Sequence, residues 1–554
     1  MKRLIWTLLV GGLIALSMSL NAQQPAPDLI LSNGKIITVD DSFSIAQAVA
    51  VRGDRIVAVG TNQDITRLAG PNTQRIDLRG KSIVPGMIDN HAHFQEEGAY
   101  WTLETRLDGI ESRKEALDMI RAKGKAKGPG QWVYTLGGFS PDQFADNSKP
   151  FTREELDQAA PDNPVLLQFT RVETYLNSKA IEAIGLDKMT DPWIKRDAGG
   201  RPTGVVEDAG AARVRNAAGF LKDLPKDIFE ASSMAMLKDL NRSGLTASGG
   251  ACQYEDIYRQ WQKQGRLGMR FFCFRAGNSG QGAEGVDKLL PQIPTLKYFD
   301  GDEWLDHVNW GERLYAIVDN VTDTKQLSPD DAFVQWGRVA REVAKAGIPI
   351  QIHSTMDWNI EKTLQQVEAV NKDIPIKRLR WTFMHLEGIT PNQIDRMKKL
   401  NMFLAVNPRG VISGESFRRL HGDKAYAFPP LKYIQDSGIK WGLGTDAFEV
   451  NQYRPFTTMY WAVTGKMVGG KVVNKNPVSR EAALVAHTRS NAYLFFREAD
   501  LGSIQPGKFA DLVVTDRDYL TVPADQIKEI KPVMTIVGGK VMFDAAKEGA
   551  AATR

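Results

Sequence analysis

Ile83-Val84-Pro85-Gly86-Met87-Ile88-Asp89-Asn90-His91-Ala92-His93 is a short apolar run, broken at Pro85-Gly86, that ends in two histidines one residue apart. In an extended strand, side chains two apart share a face, so both imidazoles point into one space. Neutral imidazole nitrogens suit zinc and its neighbours, which makes the pair a candidate metal-binding element. Two surface histidines that happen to alternate would read the same way, so the pair needs support from the rest of the chain.

Downstream, strand-like and helix-like stretches alternate, which argues for a parallel sheet with crossover helices. Eight strand candidates cover residues 82–90, 244–250, 269–275, 307–318, 348–353, 380–385, 402–407 and 439–446. Helical periodicity recurs between them, as in 331–346 (Phe333, Trp336, Val339, Val343) and 359–370. Eight such units predict a (β/α)8 TIM barrel over residues 83–499. The gap from His93 to Gly244 is too long for one loop. It holds strands at 132–136 and 165–169 with helices of its own, which predicts an inserted α/β cap at about residues 95–240, over the barrel mouth.

Both chain ends are rich in short strands and turn dipeptides, such as Asn33-Gly34, Gly53-Asp54, Pro506-Gly507 and Gly538-Gly539. Residues 24–82 are too few to close a sandwich alone. The economical solution is one small β-sandwich domain built from 24–82 and 500–546.

Metal-capable residues recur at the ends of the barrel strands. His91 and His93 close the first, Glu312 lies in the fourth, and His353, His385 and Asp446 end the fifth, sixth and eighth. C-terminal strand ends converge on one face of such a barrel, where its active site is built. Four of the seven histidines fall at these positions, a placement that packing alone explains poorly. Of the others, His307 starts a strand and is expected at the opposite face. His421, in a loop after the seventh strand, is a candidate substrate contact. His487, on a helix over 481–491, is expected to be packed or solvated.

Composition excludes several classes. A chain of 554 residues with 42% hydrophobic and 25% charged residues is ordinary for a globular protein. A formal net charge of +4 without a long basic run gives no case for nucleic acid. Lys2-Arg3 before an apolar segment at 4–20, with Ala22 following, reads as a signal peptide over residues 1–22. The segment lacks a stop-transfer flank, so no stable membrane anchor is expected, and the mature chain is expected in the periplasm or secreted. Only Cys252 and Cys273 occur, so no disulfide framework is expected and stability rests on a large core.

The Pro85 to His93 stretch resembles the opening motif of the amidohydrolase superfamily, and Gly502-Ser503-Ile504-Gln505-Pro506-Gly507-Lys508-Phe509-Ala510-Asp511-Leu512-Val513-Val514 resembles its close. More narrowly, the chain is similar to the amidohydrolase-3 group, with its N-substituted formamide deformylase-like members. Asn177-Ser178-Lys179-Ala180, Arg201-Pro202-Thr203-Gly204-Val205, His353 with Asp357, and Gly444-Thr445-Asp446-Ala447 carry that likeness. The resemblance implies a divalent-metal hydrolase in a distorted barrel. His91 and His93 would hold one ion and His353 and His385 a second. Glu312 would bridge them where many relatives place a carboxylated lysine, and Asp446 would ligate metal and act as general base. Two departures bear on substrate choice. Val172 stands where many members carry a histidine, and the usual His-Ala-x-Gly-Asp reads His353-Ser354-Thr355-Met356-Asp357.

The expected cofactor is thus Zn2+, one or two ions, lowering the pKa of water to about 7. Asp446 would shuttle the proton during attack on an amide-like carbonyl of a small molecule. Tyr175, Glu173, Arg409 and His421 are the candidate substrate contacts. Trp101, Phe139, Tyr175 and Trp358 are candidates to line an apolar pocket or to belong to the core. Deamination of a heterocyclic amine on the same site, and a metal-bound binding or regulatory protein without turnover, stay open. A sugar hydrolase with paired carboxylates leaves the four histidines unexplained. Oligomeric state, a homo-oligomer included, is open.

Overall fold

The computed structural model describes residues 25–170, 172–219, 224–278, 280, 282–320 and 328–552. The signal peptide at 1–22 lies outside the described residues.

The stretch at 82–90 is two strands. Ser82–Pro85 pairs antiparallel with Leu512–Thr515 and parallel with Lys35–Ile37. It is thereby a central strand of a six-stranded sheet that joins Lys35–Ile37 and Ile45–Ala46 to the C-terminal strands Leu512–Thr515, Pro532–Val537 and Lys540–Asp544. A four-stranded sheet of N-terminal strands faces it. Leu31, Val49, Ile83, Leu512 and Ile536 fill the space between them. The chain leaves this sandwich at Gly86, where a Cβ would lie 2.2 Å from Thr246 Oγ1. Only glycine fits that close approach, so the sandwich extends to Pro85, and the barrel begins at Met87 rather than at residue 83.

The barrel strands are β1 (Met87–Asp89), β2 (Leu245–Ala251), β3 (Arg270–Phe274), β4 (Leu305–Glu312), β5 (Ile350–Ser354), β6 (Thr382–His385), β7 (Phe403–Val406) and β8 (Lys440–Leu443). All neighbours in this order pair in parallel. The helices Asp330–Lys345 and Asp357–Asp373 follow β4 and β5, the first burying Phe333, Trp336, Val339 and Val343 as its periodicity requires. The fourth strand ends at Glu312, not at Val318. The Asp319 carboxylate accepts the Leu314 and Tyr315 amides at 2.7 and 2.9 Å and folds the chain into a helical turn. Likewise the helix expected over 481–491 is two, Arg480–Ala486 and Arg489–Leu494.

No strand ladder joins β1 to β8; side chains close that seam. Asn491 Nδ2 donates to Ile88 O at 2.6 Å and to Leu443 O at 2.7 Å, one carbonyl on each edge. Thr445 donates to the Asp89 carboxylate from its amide at 2.9 Å and its hydroxyl at 2.6 Å. The Asp446 amide donates to His91 O at 2.8 Å. This seam is the distortion in an otherwise regular eightfold barrel.

Between His93 and β2 the chain builds a five-stranded sheet in the order Ile194–Arg196, Pro202–Glu207, Glu173–Leu176, Val165–Phe169, Val133–Thr135, with apolar clusters of its own. Its loops rest on the C-terminal ends of β7 and β8. Gly138 N donates to Glu449 O at 3.1 Å, and Arg419 grips Asp142 at 3.0 Å. Among the described residues no helix is long and apolar enough to cross a membrane.

Cys252 and Cys273 form a single disulfide, a bridge the sequence reading did not anticipate. Two cysteines make no framework, but the β2–β3 register pairs Gly250 with Cys273 and Ala251 with Phe274. That register brings Cys252 to a Cα–Cα distance of 5.3 Å, within bridging range.

His487 is packed rather than solvated. It is fully buried behind the seam, its amide carbonyl accepting from Ile88 N at 2.8 Å. Burial holds its pKa down to about 4. Its folded pKa lies below the unfolded one, so stability is lost as pH falls from about 6.5 to about 4 and levels off below. The loss should be on the order of 3 kcal/mol. Urea unfolding of the metal-free protein at pH 7 and pH 4.5 should show a smaller acid loss in His487→Gln than in wild type; parallel losses would refute the assignment.

Candidate metal centre

His91 and His93 lie beyond the end of β1, and His93 has φ −98°, ψ 35°, so strand alternation is not what brings them together. The fold does so by other bonds. His91 N donates to Asp89 Oδ1 at 3.1 Å, and His93 N to Ala447 O at 2.6 Å. As a result both Nε2 atoms lie 3.2 Å from Asp446 Oδ1. His385, the last residue of β6, and Asp446, just past β8, have left-handed φ of 70° and 60°. Non-glycine residues rarely hold that conformation, and it is concentrated where a side chain must be aimed. His385 Nδ1 is 3.4 Å from Asp446 Oδ2. Glu312 Oε1 stands 3.8 Å from the Nε2 atoms of both His91 and His385. The His353 ring packs 4.4 Å from that of His385.

Two trios place their donor atoms within 4.8 Å of one another: His91, His93 and Asp446, and His91, Glu312 and His385. His91 is common to both trios, Glu312 goes with His385, and His353 lies beside His385 outside either.

These residues fit a divalent cation. Both ring nitrogens of His91 and of His385, and Nδ1 of His353, are buried without a hydrogen-bond partner. Orphaned polar atoms of this kind cost about 1–3 kcal/mol each, and a cation would satisfy them. Charge points the same way. Burial opposes ionisation of Glu312, yet His385 and the neighbouring histidines hold its carboxyl well below the usual range. Asp446 is lowered likewise: burial raises it, and His385, His91 and His93 more than offset that. Burial disfavours charge on His93, but Asp446 and Glu96 hold its pKa well above 6.5. Burial and the charge on His385 push His353 down to about 3. Two buried carboxylates among imidazoles form an anionic nest that suits Zn2+ or a similar ion.

Around the ligands stand residues that the motif reading passed over. Gln351 Nε2 donates to Asn90 O at 2.7 Å, and Asn407 Nδ2 to Asn90 Oδ1 at 2.8 Å. Glu387 accepts from Arg409 Nε at 2.6 Å. Asp89, Asn90 and Thr445 were visible as polar residues inside apolar motif stretches; Gln351, Glu387 and Asn407 carried no such signal.

Tyr175, Glu173 and Arg409 line one cavity of about 550 Å3 between cap and barrel, with Phe169, Phe417 and Val450. Tyr175 OH donates to Glu173 at 3.0 Å, and Lys195 pairs with the same carboxylate. Arg409 connects the cavity to the metal ligands, since its charge helps to depress His353. Val172, in place of the histidine many relatives carry, is 46% exposed and lines this cavity. His421 is not among the lining residues; it ends the helix Gly410–His421, its ring 5.3 Å from Phe428. Trp101 and Phe139 are buried in apolar clusters and do not line the cavity, nor does Trp358.

A sequence model described as the amidohydrolase family matches residues 74–543. The chain is 28% identical to N-substituted formamide deformylase of Arthrobacter pascens, covering 93% of this chain and 98% of that protein. It is 24% identical to a putative amidohydrolase of Bacillus subtilis (strain 168), over 93% and 99%. Among solved structures, an uncharacterized metal-dependent hydrolase from Pyrococcus furiosus superposes with a TM-score of 0.61 at 22% identity, covering 89% of this chain and all of the other. An adenosine deaminase from Xanthomonas campestris with bound Zn does so at 0.53 and 15%, covering 96% and 98%. These two likenesses speak to the fold alone.

His91 belongs to both trios, so elemental analysis of purified protein should find His91→Ala stripped of most of its metal. Wild-type metal content in that variant would refute the centre.

Proposed function

The chain belongs to the amidohydrolase family and is a hydrolase of carbon–nitrogen bonds other than peptide bonds; from that premise we propose that it cleaves an amide-like bond of a small molecule, with Asp446 as general base. One observation carries the reading: the Asp446 carboxylate faces His91, His93 and His385 at 3.2–3.4 Å and is held ionised in a buried site. When bound, a divalent ion, for which we propose Zn2+, supplies Lewis acidity and makes water acidic near neutral pH.

The chain's own residues do the rest. His91, His93, Glu312, His353, His385 and Asp446 would hold the ion. Asp446 accepts the proton of the attacking water on a carboxylate oxygen and returns it to the leaving nitrogen. The cap excludes bulk water from the barrel mouth, which strengthens each charge interaction there. Phe169, Tyr175 and Phe417 offer an apolar wall for the substrate's non-reacting arm, and Arg409 a polar end nearer the ligands. The name of the Arthrobacter relative, a deformylase of N-substituted formamides, supports an amide over a heterocyclic amine.

A panel of N-acyl amines, N-acyl amino acids, lactams and heterocyclic amines, offered to the metal-loaded protein, tests the substrate class; ammonia as product would mark a deaminase instead. On the best substrate, Asp446→Asn should lower kcat by about 10²–10⁴-fold while the trio of His91, Glu312 and His385 still retains metal. Near-full turnover in that variant would refute the mechanism. Tyr175→Phe and Glu173→Gln should change relative kcat/KM across the panel at unchanged metal content. Metal loss in either would place the cavity inside the ligand sphere and sink the assignment of these residues to substrate.

A further inference from the structure

His93 differs from the other histidines of the centre. Its side chain is 22% exposed, against 1% for His91 and His385, so packing does less to hold the ring. What holds it is a carboxylate: His93 Nδ1 is hydrogen-bonded to Glu96 Oε2, while Nε2 faces Asp446. A neutral imidazole carries one proton. With that proton on Nδ1 and donated to Glu96, the Nε2 lone pair is directed at the ion.

Glu96 needs support of its own, because it lies on the helix Phe94–Glu97, only four residues long. An isolated helix of that length does not persist in water. The brace comes from the end of the neighbouring strand, β2. Gln253 Nε2 donates to Glu96 Oε1 at 3.1 Å, and Gln253 N donates to Gln95 Oε1 at 2.7 Å. One residue thus pins two successive side chains of the short helix. Gln253 stands between the end of β2 and the helix Glu255–Lys263, and its neighbour Cys252 is bonded to Cys273, which is fully buried in β3.

We propose that Glu96 is a positioning residue for the metal ligand His93, and that Gln253 and the Cys252–Cys273 disulfide hold it in register. The proposal rests on the metal-centre reading above. It gives the disulfide a second role: a covalent bridge across the β2–β3 ladder anchors Gln253, and hydrogen bonds carry that support through Glu96 to a ligand of the ion. Metal affinity, and not fold stability alone, then depends on the bridge. The Cys252 side is partly exposed, so the bridge is open to reductant.

The test compares Glu96→Ala, Glu96→Gln, Gln253→Ala and the paired Cys252→Ala/Cys273→Ala with wild type. Zn2+ affinity is read by competition with a chromophoric chelator, the ligand field by the Co2+ absorption spectrum, and fold by urea unfolding of the metal-free chains. Glu96→Ala should weaken Zn2+ binding about 10–100-fold and alter the Co2+ spectrum, with unfolding close to wild type. Glu96→Gln, whose amide oxygen still accepts from Nδ1, should fall between. Gln253→Ala and the cysteine pair should weaken Zn2+ binding in the same direction by less. Wild-type affinity and spectrum in Glu96→Ala would overturn the proposal while leaving the metal centre standing. A cysteine pair that unfolds more easily yet binds Zn2+ as wild type does would overturn the part assigned to the disulfide. A wild-type chain that takes up neither ion would overturn the metal-centre reading and this proposal together.

Discussion

The structure depends on how the two edges of the barrel are joined. β1 and β8 share no ladder, and the seam is closed by Asn491, which bonds a carbonyl on each edge, by Thr445 on Asp89, and by two backbone bonds, Asp446 N to His91 O and His93 N to Ala447 O. Each buried carbonyl left without a donor would cost about 1–3 kcal/mol. The backbone bonds involve the chain segments that carry the metal ligands, so the closure of the barrel and the first ligand trio share their supports. Gly442 shows how tight the closure is, since a Cβ there would stand 1.9 Å from Asn491 Oδ1.

That coupling accounts for the electrostatics of the centre. Glu312 and Asp446 are buried among four imidazoles, an arrangement that would be costly without a compensating cation. Both ring nitrogens of His91 and of His385, and Nδ1 of His353, have no hydrogen bond to relieve that cost. The protein confines negative charge where a divalent ion can neutralise it and pays in metal-free stability. Left-handed backbone at His385 and Asp446 belongs to the same pattern, as local strain held by the seam and the neighbouring strands.

Specificity is built on a different footing. The cavity lies between the cap and the loop after β7, so its shape depends on cap residues that touch no metal ligand. Its carboxylates are already engaged, Asp142 by Arg419 and Glu173 by Lys195 and Tyr175. These pairings leave the carboxylates to shape the wall, to which Val172 adds an exposed apolar surface. On the proposed reading, metal binding and substrate choice are carried by separate parts of the chain that meet at Arg409.

The sequence by itself determined the α/β class, the eight repeating units and the strand-end residues that meet, because hydrophobic periodicity and motif position are local properties of the chain. Residues 331–346 and the His91–His93 pair were legible for that reason. So was a sandwich from both ends, since neither end had enough strands alone. The tertiary structure decided what depends on distances between segments far apart in sequence. His91 falls in both donor trios, a grouping visible only once the strand ends are placed in space. The break at Gly86 follows from the approach of Thr246, and the disulfide from the β2–β3 register. His421 packs between Phe417 and Phe428 and is not among the cavity's lining residues. Glu96 is three residues from His93 and was in plain view. What makes it a partner is Gln253, held 157 positions away in the chain and brought there by the fold.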